Sequence, residues 1–137
     1  MSRRYGRSGN KLELQIISKE FSVCKIRDIK GVNFDDEFFF LAKTDEELSL
    51  VCDSAHVPQN FIECEKGWHA FRIKGVLDFS LTGILSKISS ILAGERIGIF
   101  AVSTFNTDYI MVKKENLQSA VSVLEDAGYV FVDIKEP

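Results

Sequence analysis

The sequence predicts an α+β fold, an antiparallel sheet with helices on one face, complete in the second half of the chain and shortened in the first. Three observations carry this expectation. Two amphipathic stripes repeat at helical spacing: Leu81, Ile84, Leu85, Ile88 and Leu92, then Leu117, Ala120, Val121, Leu124 and Ala127. Short alternating or aromatic-rich apolar runs surround them, bounded by polar turns. The strand, acidic turn, strand pattern of residues 99–113 also has a counterpart at residues 38–52.

Taken in order, "MSRRYGRSGNK" (1–11) is a basic flexible arm, and "LELQIIS" (12–18) and "FSVCKI" (21–26) are short strand-like runs. "EFFFLAKT" (37–44) is aromatic-rich and reads as a strand, and "LSLVC" (48–52) follows it beyond an acidic turn. "DSAHVPQN" contains Pro58 and reads as loop; "FIECEKGWHAFRIKG" returns to strand character, broken near Gly67. "WHAFRIK" (68–74) is the strand before a helix over about residues 80–93, which Gly94 would stop in a left-handed C′ conformation. "IGIFAVST" (97–104) and "YIMVK" (109–113) make a hairpin, a second helix ends at Gly128, and "YVFVDI" (129–134) closes the order β-α-β-β-α-β. That order is the ferredoxin-like, split βαβ arrangement.

The first half reads as a trimmed copy. Set at a constant offset of 61, Phe39 falls on Phe100, Leu41 on Val102, Glu47 on Asp108 and Val51 on Val112. Neither helix has a counterpart there. A chance likeness of two short hairpins is the competing reading. The division expected is an arm (1–11), a degenerate N-terminal module (12–66) and a complete C-terminal module (67–137).

Composition excludes several classes. The chain is 45% hydrophobic and 27% charged, ordinary for a globular domain with its own core. Its net charge is −3, and without Arg3, Arg4, Arg7 and Lys11 only 13 basic side chains face 20 acidic ones, which argues against nucleic acid as a partner. Cys24, Cys52 and Cys64 lie far apart, form no C-x-x-C and do not combine with His56 or His69 at a metal-finger spacing. Three free thiols in a reducing compartment are expected, with no metal. No apolar run is long enough to span a bilayer and no signal-peptide core follows the basic start, so the expectation is a cytoplasmic protein without membrane contact.

Catalytic motifs are lacking: no G-x-S-x-G, H-E-x-x-H, Walker loop or G-x-G-x-x-G occurs. His56 lies beside Pro58 in a loop and His69 in a strand, and "DDE" (35–37) and "DEE" (45–47) read as exposed turns. The Phe-rich strands lack the flanking Lys, Arg and Gly of base-stacking sheets. No catalytic residue and no cofactor is expected.

"LDFSLTG" (77–83) admits two readings. Asp78 and Ser80 are helix-capping types, and a capped start is sufficient by itself. The same unpaired N–H groups and helix dipole attract a carboxylate, Gly83 clears space, and Asp78 can accept from an ammonium group. Together these suit a zwitterionic amino acid.

The stretch "AFRIKGVLDFSLTGILSKISSILAGERIGIFAVSTFNTDYIMVKKENLQSAVSVLEDAGY" resembles an ACT domain, the small-molecule regulatory module of many enzymes of amino-acid metabolism. More narrowly, "EFFFLAKTDEELSLVC", "GWHAFRIKGVLDFSLTG" and "FAVSTFNTDY", in this order, are similar to small stand-alone tandem-ACT proteins, the subtype seen in cytosolic arginine sensors. The resemblance covers about residues 12–134. It implies regulatory amino-acid binding without catalysis, in a homo-oligomer expected to be a dimer. The effector would lie where modules pair, between the loop before the first helix and a partner's second strand. By matching motif the ligand-binding residues are Leu77, Asp78, Phe79, Ser80, Thr82 and Gly83 in the loop, with Ile99, Phe100, Ala101, Val102, Ser103 and Thr104 in the strand. Asp78 and Gly83 are five apart, a longer loop than in ordinary ACT domains and one that the narrower subtype shares. A protein-interaction adaptor with an empty site of this type is the alternative.

Overall fold

The computed structural model describes residues 12–74 and 81–133. Strand β1 (Glu13–Ile26) is one strand of 14 residues where two short runs are expected. It holds neither glycine nor proline to stop it, and the polar Ser18 and Lys19, where the first run ends, are exposed. A loop leads to the hairpin β2 (Phe39–Lys43) and β3 (Leu48–Asp53), followed by a 3₁₀ turn at Ser54–His56. Strand β4 (Phe61–Lys74) runs straight through the expected break: Gly67 sits in it at φ +86°, a left-handed value that glycine adopts freely. Then come α1 (Leu81–Gly94), β5 (Ile99–Ser103), β6 (Asp108–Lys113), a 3₁₀ turn at Lys114–Asn116, α2 (Leu117–Asp126) and β7 (Val130–Asp133).

The chain divides into two compact units, one of residues up to Ser18 with those from Ala70 onward, the other Lys19–His69. Strands β1 and β4 each contribute a half to both. In the unit that carries the helices the strand order is β7-β1-β4-β6-β5. The expected sheet there has four strands; it has a fifth, because the start of β1 lies between β4 and β7. Glu13, Leu14, Gln15 and Ile16 pair in parallel with Val130, Phe131, Val132 and Asp133. Without that insertion the strands follow the ferredoxin-like order. In the other unit the order is β2-β3-β1-β4, the same order with no helix.

The middles of both helical stripes are buried where spacing put them, but the second stripe stops short of its expected end. Helix α2 finishes at Asp126 and Ala127 is exposed, because the chain is already turning toward Gly128. Ile84, Ile88 and Leu92 of α1 join Ala120 and Leu124 of α2 over Leu14, Phe71, Ile73, Ile110 and Val112 of the sheet. Helix α1 does not end as expected, since the left-handed residue is Arg96 (φ 60°) and not Gly94. The N–H of Ile97 bonds the carbonyl of Leu92 at 3.0 Å, pinning an apolar residue on each side of the reversal. Helix α2 ends in the same way at Gly128 (φ 104°), with Tyr129 N–H bonding Leu124 O at 3.1 Å. The second unit has its own smaller core of Cys24, Ile26, Leu50 and Cys52.

The two hairpins correspond, but at an offset of 60. Register pairs run from Phe39↔Cys52 to Lys43↔Leu48 in β2 and β3, and from Ile99↔Val112 to Ser103↔Asp108 in β5 and β6. Phe39 therefore matches Ile99, Phe40 matches Phe100, and Glu47 matches Thr107. The offset of 61 expected from the sequence is one residue out, and one residue moves every side chain to the opposite face. At 60 the buried trios Leu50, Val51, Cys52 and Ile110, Met111, Val112 coincide. The 3₁₀ turns Ser54–His56 and Lys114–Asn116 also coincide. Beyond them the units part. Leu117 is helical (ψ −47°) and α2 begins, whereas Val57 is extended (ψ 127°). Val57 precedes Pro58, whose ring disfavours a helical residue before it.

Candidate functional site

Of the loop residues read as ligand-binding, Leu77, Asp78, Phe79 and Ser80 lie outside the described residues. Thr82 and Gly83 stand in the first turn of α1. Among the described residues, a Cβ placed on Gly83 would meet no atom within 4 Å. The strand residues are better defined: Ile99, Phe100, Ala101, Val102 and Ser103 make up β5, and Thr104 begins the turn after it.

Strand β5 is the last strand in its sheet order. The turn closes with Thr104 N–H donating to Thr107 O at 2.8 Å. Hydrogen-bonded and non-bonded pairs alternate away from that closure, so the backbone groups of Ile99, Ala101 and Ser103 face the open edge. Thr104 Oγ1 adds a bond to Thr107 O at 2.7 Å and accepts from Thr107 N–H at 3.2 Å. This stiff turn holds Phe105 at its tip, fully exposed. Opposite Ser103, Asp108 is only 5% exposed. The arrangement offers outward backbone donors and acceptors on an uncharged strand, fixed in place by a two-residue turn.

A polar tie that the sequence did not reveal holds the same sheet together. Arg72 Nε donates to Gln15 Oε1 at 3.0 Å and its Nη1 donates to Tyr109 Oη at 3.1 Å. Thr107 Oγ1 donates to Ile73 O at 2.8 Å. Strands β1, β4 and β6 are thus cross-linked by side chains, and the β5–β6 turn is anchored to β4.

The second unit contains a site missed by sequence reasoning, because its parts are far apart in the chain. Val23, Cys24 and Lys25 of β1, Glu47 and Ser49 near the start of β3, and Glu63, Cys64 and Glu65 of β4 line an open cleft of about 390 Å³. Cys24 Sγ and Cys64 Sγ are 3.5 Å apart. Burial, then the contact with Cys64, pushes the Cys24 thiol far up; burial pushes Cys52 up to about 11. Alternation along three strands was the available signal, since Cys24, Cys52 and Cys64 each fall on the inward side. Nearby, Glu20 Oε2 accepts from Gly67 N–H at 3.2 Å and from Ser54 Oγ at 3.3 Å, and Ser54 Oγ is 2.7 Å from Ser22 Oγ. His56 Nδ1 lies 2.9 Å from Asp36 Oδ2 at the surface, tying the long loop to the 3₁₀ turn. Among the described residues no cluster of three or more His, Cys, Asp or Glu could hold a metal ion, and no helix is long and apolar enough to cross a membrane.

Sheet order, helix placement and edge strand define a ferredoxin-like fold. Residues 63–126, from β4 through α2, match the family model of the ACT domain. The whole chain is similar to a protein from Agobacterium tumefaciens at 27% identity, with a TM-score of 0.81, over 93% of this chain and 97% of that one. A Vibrio cholerae protein of unknown function, described as a possible transport protein, has the same fold at 17% identity and a TM-score of 0.67, over 85% and 89%. Aspartate kinase from Clostridium acetobutylicum, an allosteric enzyme, shares the fold at 15% identity and a TM-score of 0.60, over 85% of this chain and 34% of that one.

Proposed function

We propose that the chain is a tandem ACT-type regulatory protein that binds a small amino acid and does not transform it. The observation that carries this reading is the ACT match over residues 63–126, which spans the "LDFSLTG" loop and all of β5. The fold shared with an allosteric amino-acid kinase agrees with it. Two modules follow one another, residues 12–66 and 67–137, the first reduced to its strands; the common strand order and the offset of 60 between hairpins support this.

In this reading Asp78 takes the ligand ammonium and the amides near Ser80–Gly83 take its carboxylate, using the positive end of α1. Ile99–Thr104 form the second wall, where the outward groups of Ile99, Ala101 and Ser103 are available for backbone contacts. Two copies of the chain pair, since an uncharged edge strand such as β5 invites a partner, and the ligand biases that pairing.

A thermal-shift screen of the twenty amino acids tests the function. One amino acid, or one chemical group of them, should raise Tm as its concentration rises, by mass action on the folded state. Asp78→Ala should abolish that rise, each variant being compared with its own ligand-free Tm. No shift at millimolar concentration for any of them contradicts the proposal.

A further inference from the structure

We propose that Cys24 and Cys64 form a redox-active dithiol in the cleft of the strand-only unit, a modification site that a neutral hydroperoxide converts to a disulfide. The two residues lie on β1 and β4, which are neighbouring strands, with their sulfur atoms in van der Waals contact at 3.5 Å. Closing to a bond of about 2.05 Å needs the sulfurs to approach by about 1.5 Å. Access is asymmetric. Both line the cleft of about 390 Å³, but Cys64 is partly exposed whereas Cys24 is only 3% exposed. Cys52, also 3% exposed, does not line the cleft.

The charge of the cleft selects the oxidant. Glu47, Glu63 and Glu65 outnumber Lys25 around the thiols, so an anionic disulfide such as oxidised glutathione is repelled and an uncharged peroxide is not. The Cys64 sulfur, as thiolate, attacks one peroxide oxygen; the O–O bond breaks and hydroxide leaves, taking up the thiol proton to become water. The Cys24 sulfur then attacks the Cys64 sulfenic acid, an S–S bond forms, the S–O bond breaks, and the Cys24 proton leaves with that oxygen as a second water. Two thiols lose two electrons in all and one peroxide gains them. Burial keeps Cys24 protonated until the second step, which fixes the order of attack.

The test is a hydrogen peroxide titration of the reduced full-length protein, read by thiol count after denaturation, intact mass and peptide mapping. Free thiols should fall from three to one, with a mass loss of two hydrogens, a mapped Cys24–Cys64 bond and full reversal by dithiothreitol. Cys52→Ser should still close the bond, and Cys64→Ser should keep both remaining thiols reduced. Oxidised glutathione should react at least about tenfold more slowly than peroxide at equal concentration, and this gap should shrink at high salt. Three persistent thiols, a mapped bond involving Cys52, sulfinic acid at Cys64 without a disulfide, or equal rates for both oxidants would overturn the proposal. The mapping is done on the wild-type chain, so the outcome does not depend on the folding of any variant.

Discussion

Thr44 and Thr104 close their hairpins in the same way. Each donates its backbone N–H to the residue three positions on, Glu47 O at 2.9 Å and Thr107 O at 2.8 Å. Each also uses its hydroxyl to accept the N–H of that residue, at 3.1 and 3.2 Å. The register on both sides of these turns differs by the same 60 positions, so the correspondence extends from the turn into both strands.

The two turns differ in their hydroxyl bonds: Thr44 Oγ1 also accepts from Glu46 N–H at 3.1 Å, and Thr104 Oγ1 donates the shorter bond to the carbonyl across the turn, which stability should follow. Thr104 Oγ1 donates to Thr107 O at 2.7 Å, while the matching contact from Thr44 stretches to 3.5 Å. Thr104→Ala should cost about 1 kcal/mol and Thr44→Ala less, by urea denaturation. Equal losses would count against the hydroxyl as the difference.

Arg96 adopts a left-handed conformation that its Cβ disfavours. Arg96→Gly should raise stability by up to about 1 kcal/mol, because glycine reaches that conformation without the steric penalty. A loss of stability would mean that the Arg96 side chain contributes more than its backbone conformation costs.

Gly31 and Pro58 touch where the long loop meets the segment that replaces a helix. A Cβ on Gly31 would lie 2.7 Å from Pro58 Cβ and 3.4 Å from Pro58 Cα, neither of which can swing away. Gly31→Ala should therefore destabilise by about 1–3 kcal/mol, as overpacking does elsewhere, measured by the urea midpoint at unchanged slope. Gly83→Ala, where a Cβ would meet none of the described atoms within 4 Å, should be close to neutral.

Alkaline pH should weaken the fold. Burial raises the Cys52 thiol from its ordinary value near 9 to about 11 and raises Cys24 further. The folded state thus holds protons that the unfolded chain gives up. Stability is fully present below about pH 9 and falls as pH rises toward 11 and beyond. Cys52→Ala should flatten that slope in urea midpoints measured from pH 8 to 11, whatever it does at neutral pH. An unchanged slope would show that Cys52 does not carry it.

Helix stripes, hairpins and turns were legible because each is a local pattern. Ile84, Ile88 and Leu92 share a face at any tertiary context, and the polar turn after Lys43 bounds its hairpin by residue type. Pairing partners distant in the chain were not legible. Nothing in "LELQII" says that Glu13–Ile16 lies parallel to β7, since that contact joins segments over a hundred residues apart and is rewarded only in the folded sheet. The hairpin offset slipped by one because aligning Phe39 with Phe100 ignores the turn, which sets register. Gly94 drew the helix stop by composition, while the stop is set by Leu92 and Ile97 meeting across Arg96. For the proposed binding site, strand residues 99–104 and the loop residues alike rest on resemblance of motif, since alternation reads 97–104 as a strand and says nothing of a ligand.

The most direct measurement is amide chemical-shift mapping with the amino acid that gives the largest thermal shift. Saturable perturbations should appear at Asp78–Gly83 and along Ile99–Thr104 together, and Asp78→Ala should remove both sets. Perturbations confined to the cleft residues Val23–Lys25 and Glu63–Glu65, or absent from β5, would contradict an amino-acid site on the helical unit.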